Sequence, residues 1–204
     1  MVTDHILHLV FLNKKRYDRS ITFIDRKDAA RCCKRTGQME NMEIEKKYTL
    51  KKLPENLESY PCKIIEQAYL NTSPVVRVRQ SDDAYYLTCK GSGLMAREEY
   101  NFPLDEKSYR HLRAKADGNI ISKKRYVIPI ENPQFDDTFH PLSTPSLSIE
   151  LDVFAPPFAP LVMAEVEFTS EEMANAFIPP EWFDEDVTYN PEYHNSAMSR
   201  KKIE

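Results

Sequence analysis

From residue 42 onward the chain alternates apolar and polar positions with a period of two, the spacing of β-strands, whose successive side chains point to opposite faces. The run Glu43-Ile44-Glu45-Lys46-Lys47-Tyr48 puts Glu43, Glu45 and Lys47 on one face. Residues 64–70 predict a second strand, followed by the turn cluster Asn71-Thr72-Ser73-Pro74. Residues 75–80 predict a third, with Arg77 and Arg79 facing one way and Val76 and Val78 the other. Ser81-Asp82-Asp83 reads as a hairpin into a strand over 84–90 that ends on Lys90. Over 94–103, Arg97, Glu99 and Asn101 share a face. Residues 120–130 set Lys123 and Arg125 against Tyr126 and Ile128; 146–154 set Glu150 and Asp152 against Ile149, Leu151 and Val153; and 161–168 put Glu165 and Glu167 together.

Helical signals are fewer. Residues 54–60 predict a short helix. Residues 105–117 predict a longer one, opened by acids and closed by Gly118, and Ser170-Glu171-Glu172 caps another that stops before Pro179-Pro180. The polar and aromatic tail, Asp186 to Lys202, is expected to end in a short helix. The sum is an α+β chain dominated by about eight strands. Most are neighbours in sequence, so the pairing is expected to be antiparallel.

Residues 1–41 break the pattern. They are rich in Lys and Arg and show no periodicity, and we read them as a leader or over-extended start, with a basic arm as the alternative. The apolar stretch His5 to Leu12 has no basic segment before it and no small-residue cleavage site after it, which argues against a secretory signal. Residues 42–204 form the folded domain. A net charge of −4 argues against general nucleic-acid binding, and no apolar run approaches the roughly 20 residues that span a bilayer. The cysteines Cys32, Cys33, Cys62 and Cys89 lack metal-ligand spacing and read as free thiols of a reducing compartment, the cytoplasm. Glycine is scarce, with four in 204 residues, so any phosphate chemistry must use side chains.

Two arrangements fit the charged strand faces. Either each points to water over an apolar core, or the sheet closes into an eight-stranded barrel with the charges inward and helices over the apolar outside. In a closed lumen, so many like charges need compensation. Carboxylates would take a divalent cation with a preference for oxygen ligands, and Arg and Lys a polyanion, so a metal-bound linear triphosphate satisfies both walls.

The strand Glu43-Ile44-Glu45-Lys46-Lys47 resembles the Glu-x-Glu-x-Lys signature of the CYTH, or triphosphate tunnel metalloenzyme, family, in its short bacterial form. Val76-Arg77-Val78-Arg79, Thr88-Cys89-Lys90, Arg97-Glu98-Glu99, Lys123-Lys124-Arg125-Tyr126, Ser148 to Phe154 and Ala164 to Phe168 follow in the family's order, and the resemblance covers about residues 42–200. Asn101 departs from it, since many members carry a second Glu there. The resemblance implies an eight-stranded antiparallel tunnel that hydrolyses a triphosphate with Mg²⁺ or Mn²⁺. It implies Glu43, Glu45, Glu165 and Glu167 as metal ligands, with Glu150 and Asp152 as secondary candidates. Lys47, Arg77, Arg79, Lys90, Arg97, Lys123 and Arg125 would bind phosphate oxygens, and Glu45, Lys47 and Arg125 would act in catalysis. Inorganic tripolyphosphate is the expected substrate of a monomer or homodimer. Class IV adenylate cyclase, thiamine or nucleoside triphosphatase, and non-catalytic polyphosphate binding remain alternatives. The tail around Tyr193 and Asn195 either plugs one tunnel end or simply caps the barrel.

Overall fold

The computed structural model describes residues 41–203. The expected leader over 1–41 lies, apart from Asn41, outside the described residues. Six strands come first: β1 (Met42–Leu50), β2 (Cys62–Thr72), β3 (Val75–Ser81), β4 (Ala84–Lys90), β5 (Ala96–Leu104) and β6 (Asp117–Ile130), with helix α1 (Glu106–Arg113) between the last two. The short β7 (Gln134–Phe135) precedes β8 (Leu147–Phe154) and β9 (Val162–Glu167). Helix α2 (Glu171–Ala176), β10 (Phe177–Ile178), β11 (Phe183–Asp186) and helix α3 (Asn195–Met198) complete the chain.

The strand order β1-β5-β4-β3-β2-β6-β8-β9 closes on itself because β9 also pairs with β1, giving an eight-stranded antiparallel barrel. Closure falls on the strand that carries Glu43, Glu45 and Lys47. Its first half pairs with β5, setting Glu43 opposite Arg97, and its second half pairs with β9, setting Glu45 opposite Glu167 and Lys47 opposite Glu165. β11 extends the edge beyond, with Tyr48 opposite Asp186.

Closure of the barrel decides which face lies inside. The charged faces turn inward, so the half-solvated open sheet is excluded. The outer apolar face is covered in two places. Ile44, Tyr48, Ile149, Leu151, Ala164 and Val166 pack against Met173 and Ala174 of α2 and against Phe177 and Phe183. Ala68 and Val78 pack beneath Tyr109 of α1. Leu151 and Val166 are fully buried, each contributing about 1.5–3 kcal/mol of transfer free energy. A third cluster closes one end of the bore: Tyr69, Val75, Ile121, Phe154 and Met163 meet Val187 and Met198, with Tyr193 packed alongside.

Two helical expectations need correction. Residues 54–60 yield only a 3-10 turn, Leu57–Ser59, with no buried residue of its own to anchor a longer helix. The helix expected over 105–117 is capped as read, the Asp105 carboxylate accepting from Ser108 N at 2.6 Å, but it ends at Arg113. Gly118 is therefore not its closer. It is the second residue of β6, with φ of 76°, and a Cβ there would stand 2.2 Å from the carbonyl oxygen of Ser199. The glycine lets the C-terminal segment lie against the barrel, where Asn119 N donates to Ser199 O at 2.6 Å.

Candidate active site

The lumen holds a cavity of about 300 Å³. Glu43, Glu45 and Lys47 of β1 line it with Arg77 and Arg79 of β3, Lys90 of β4, and Arg97 and Glu99 of β5. Arg125 of β6, Glu150 of β8, and Glu165 and Glu167 of β9 complete the charged wall. The period of two and the barrel's register are sufficient to bring these side chains together from seven strands. Two expected site residues sit deeper. Lys123 and Asp152 are almost wholly buried and do not line the cavity, but pair with each other and support Arg125 from below.

Most of the wall is one chain of alternating charges. Lys90 Nζ donates to Glu43 at 2.5 Å and also pairs with Glu99. Arg97 bridges Glu43 and Glu45, at 3.0 Å to each. Lys47 joins Glu45 at 2.9 Å to Glu165 at 2.5 Å. Arg125 links Glu165 at 2.5 Å to Asp152 at 2.6 and 2.7 Å, and reaches Glu150 as well. Asn101, the departure noted above, sits within this system: it accepts from Thr88 Oγ1 at 2.6 Å and donates to Glu99 at 2.7 Å.

Proton affinities follow the pairing. Burial pulls the Lys47 ammonium down, but Glu165 and Glu45 more than offset it and raise its pKa above the ordinary lysine value. Burial pushes Glu165 up, yet Lys47 and Arg125 hold it well below the usual carboxylate range. Burial likewise opposes ionisation of Glu99, and Lys90 overrides it, to about 2. Lys123 behaves differently: burial, with Arg125 beside it, pushes its ammonium down to about 8 despite Asp152.

Arg77 and Arg79 lie outside this chain. Neither makes an ion pair among the described residues. Both donate to the same oxygen, Gln67 Oε1, at 2.5 and 3.4 Å, and Arg77 Nε, Arg77 Nη2 and Arg79 Nε are buried without a hydrogen-bond partner. Burial and the neighbouring Arg77 and Arg125 lower the Arg79 pKa to about 10, which leaves it charged at neutral pH. The opposite deficit is at Glu167, which has no ion pair among the described residues. Glu167 is exposed in part, and partial desolvation raises its pKa, with Glu43, Glu150 and Glu45 adding to the rise. The lumen thus offers one uncompensated cationic corner and one uncompensated acid.

Among the described residues no three acidic, histidine or cysteine side chains already form a metal-binding group. The donor set still fits a hard divalent cation. Glu167 is crowded by other carboxylates with no cation of its own, and Mg²⁺ commonly uses only one or two carboxylates alongside substrate phosphates.

The period-two reading missed Gln67, Tyr69, His194 and Ser196. Tyr69 and Gln67 share the inward face of β2, where Gln67 standing between Ile65 and Tyr69 at the strand's period of two was the available signal; in the structure it is fully buried. His194, Asn195 and Ser196 reach the cavity from the C-terminal segment, which no strand pattern covers. His194 Nε2 lies 2.9 Å from Thr188 O, and burial holds the imidazole below its ordinary range. This segment covers the lumen beside the apolar plug. No helix among the described residues is long and apolar enough to cross a membrane.

No protein-family model matches the chain. It is similar to a protein named inorganic triphosphatase from Nitrosomonas europaea, with 35% identity over 161 residues, covering 77% of this chain and 96% of that one. A protein of the same name from Acetivibrio thermocellus is 32% identical over 126 residues, 60% of this chain and 70% of the other. The crystal structure of an inorganic triphosphatase superposes with a TM-score of 0.54 at 32% identity, covering 78% of this chain and 95% of that one. Likeness of sequence over almost the full length of one relative, together with the shared architecture, makes this chain a member of the inorganic triphosphatase family.

Proposed function

We propose that the chain hydrolyses inorganic tripolyphosphate to pyrophosphate and phosphate inside the lumen, using a bound divalent cation, Mg²⁺ or Mn²⁺, and that it belongs with the CYTH tunnel enzymes. The observation that carries this reading is the pair Arg77 and Arg79. Two guanidiniums that line the cavity share one neutral oxygen, make no ion pair among the described residues, and keep buried N–H groups without a hydrogen-bond partner. Such groups call for an anion with several oxygens, since guanidinium binds phosphate as a fork. The names of the similar proteins point to the same substrate class.

Phosphoryl transfer needs positioning and charge neutralisation more than covalent help. A bound divalent cation would polarise the phosphate oxygens and lower the pKa of water. Glu43, Glu45 and Glu167 are the side chains that would hold it, with Glu150 and Glu165 nearby in the wall. Arg77 and Arg79 bind one end of the chain of phosphates. Lys47 and Arg125, fixed by Glu165, present positive charge to the reacting group and to the leaving pyrophosphate. A water oxygen bonds to the terminal phosphorus, the bridging P–O bond breaks with its electron pair on pyrophosphate, and the water's proton passes to a lumen carboxylate.

The test is a panel of tripolyphosphate, pyrophosphate, ATP and thiamine triphosphate with Mg²⁺ or Mn²⁺, with products identified. The expected result is equimolar phosphate and pyrophosphate from tripolyphosphate, with the other substrates slower. Cyclic AMP from ATP, or no phosphate release with any metal, overturns the proposal.

A further inference from the structure

We infer that Gln67 is a positioning residue that holds Arg77 and Arg79 side by side while leaving their charge available to the substrate. The inference rests on the reading of the lumen as a triphosphate site. Gln67 is fully buried and does not line the cavity, so it acts through the arginines. In the β2–β3 ladder it stands directly opposite Arg79, and Arg77 is opposite Tyr69 on the same inward face. Its amide can turn only one atom to two guanidiniums, because they carry donors and no acceptor. Oε1 accepts from both, which ties together two like charges that would otherwise separate.

The choice of amide over carboxylate is the informative part. Lys47, Lys90, Arg97 and Arg125 each have a carboxylate in contact. A glutamate at 67 would fit the same space and pair with Arg77 and Arg79 in the same way. The neutral oxygen fixes the geometry and leaves the positive field uncancelled. Arg77 and Arg79 are then ready for an anion, and part of the cost is visible as the buried, unpartnered Nε2 of Gln67 itself.

The assignment separates folding from binding in a single isosteric change. Gln67→Glu supplies the missing counter-charge, so its thermal unfolding midpoint should equal or exceed that of the wild type, while KM for tripolyphosphate rises about tenfold or more. The loss should fall on KM more than on kcat. Gln67→Leu, which removes the acceptor without adding charge, should also raise KM, but less. Calorimetric titration with tripolyphosphate in excess EDTA reads the arginine pair without metal and should show the same order of affinities: wild type, then Leu, then Glu. Gln67→Glu with KM and affinity within about twofold of wild type overturns the role of Gln67, as does a loss confined to kcat. If the wild type neither binds nor cleaves tripolyphosphate, it is the reading of the lumen that fails.

Discussion

Two regions of the lumen both carry cationic side chains but reach opposite electrostatic states. On one, Lys47, Glu165, Arg125, Asp152 and Lys123 form a closed run of ion pairs in which every charge has a partner within 2.9 Å. On the other, Arg77 and Arg79 have only the Gln67 oxygen. The first wall is what holds a charged barrel together, since a buried ion is tolerated only when matched. The second has kept its charge for something outside the chain. Fold stability thus leans on the first wall and spare positive charge sits on the second, and substitutions should separate the two.

The largest effect is expected on the paired wall. Arg125→Ala removes one of the two counter-charges from each of Asp152 and Glu165, leaving Lys123 and Lys47, and should cost about 3–5 kcal/mol in urea unfolding, taking activity with it. A stability within error of the wild type would mean the network is not structural. Glu45→Gln comes next, because it keeps the volume and removes a lumen carboxylate. Metal-dependent turnover should fall about 10²–10³-fold in initial-rate assays while the protein remains folded. Full activity would remove Glu45 from the site.

Arg79→Ala tests the other wall. It deletes a buried charge that has no ion pair, so stability should hold or rise, whereas KM for tripolyphosphate should rise about tenfold or more. If it destabilises the fold as Arg125→Ala does, the contrast between the walls is lost. Glu167→Gln should behave as its mirror image. Glu167 keeps much of its surface exposed, but partial desolvation and the neighbouring Glu43 and Glu150 still oppose its ionisation, so the folded state binds its proton more tightly than the unfolded chain does, by an amount that solvent screening keeps small. Stability from this group therefore declines as pH rises through the window between the two pKa values, and the glutamine variant should melt slightly higher at neutral pH. Its requirement for Mg²⁺ should rise severalfold, read as the metal concentration for half-maximal rate.

The smallest effect is a pH slope. Lys123 has a folded pKa of about 8, below the ordinary lysine value. Between those two pH values the unfolded chain carries the extra proton, so this group makes stability increase with pH across the window, its cost being fully present below pH 8. Lys123→Met should flatten the rise in unfolding free energy there. An unchanged slope would assign the titration elsewhere.

Much of the barrel could be read from the chain, because a strand's side chains alternate regardless of context. Glu43, Glu45 and Lys47 are on one face in any β-sheet. What alternation cannot give is which face is inside, and here the ordered resemblance to the tunnel enzymes decided in favour of the lumen. Depth was also hidden. Lys123 and Arg125 are indistinguishable by pattern, yet one sits below the cavity and the other lines it. The pattern over 105–117 overstates the helix because Gly118 looks like a stop signal, whereas its freedom serves a contact with Ser199 some eighty residues on. His194 and Gln67 escaped for the same reason: their roles depend on partners distant in sequence or across a ladder.

The most direct test is the crystal structure of the protein with tripolyphosphate and no divalent metal. The account predicts phosphate oxygens within about 3.2 Å of the Arg77 and Arg79 guanidinium nitrogens, with the ion-paired wall unmoved. A lumen without phosphate at saturating concentration, or tripolyphosphate bound only on the outer face of the barrel, would contradict it.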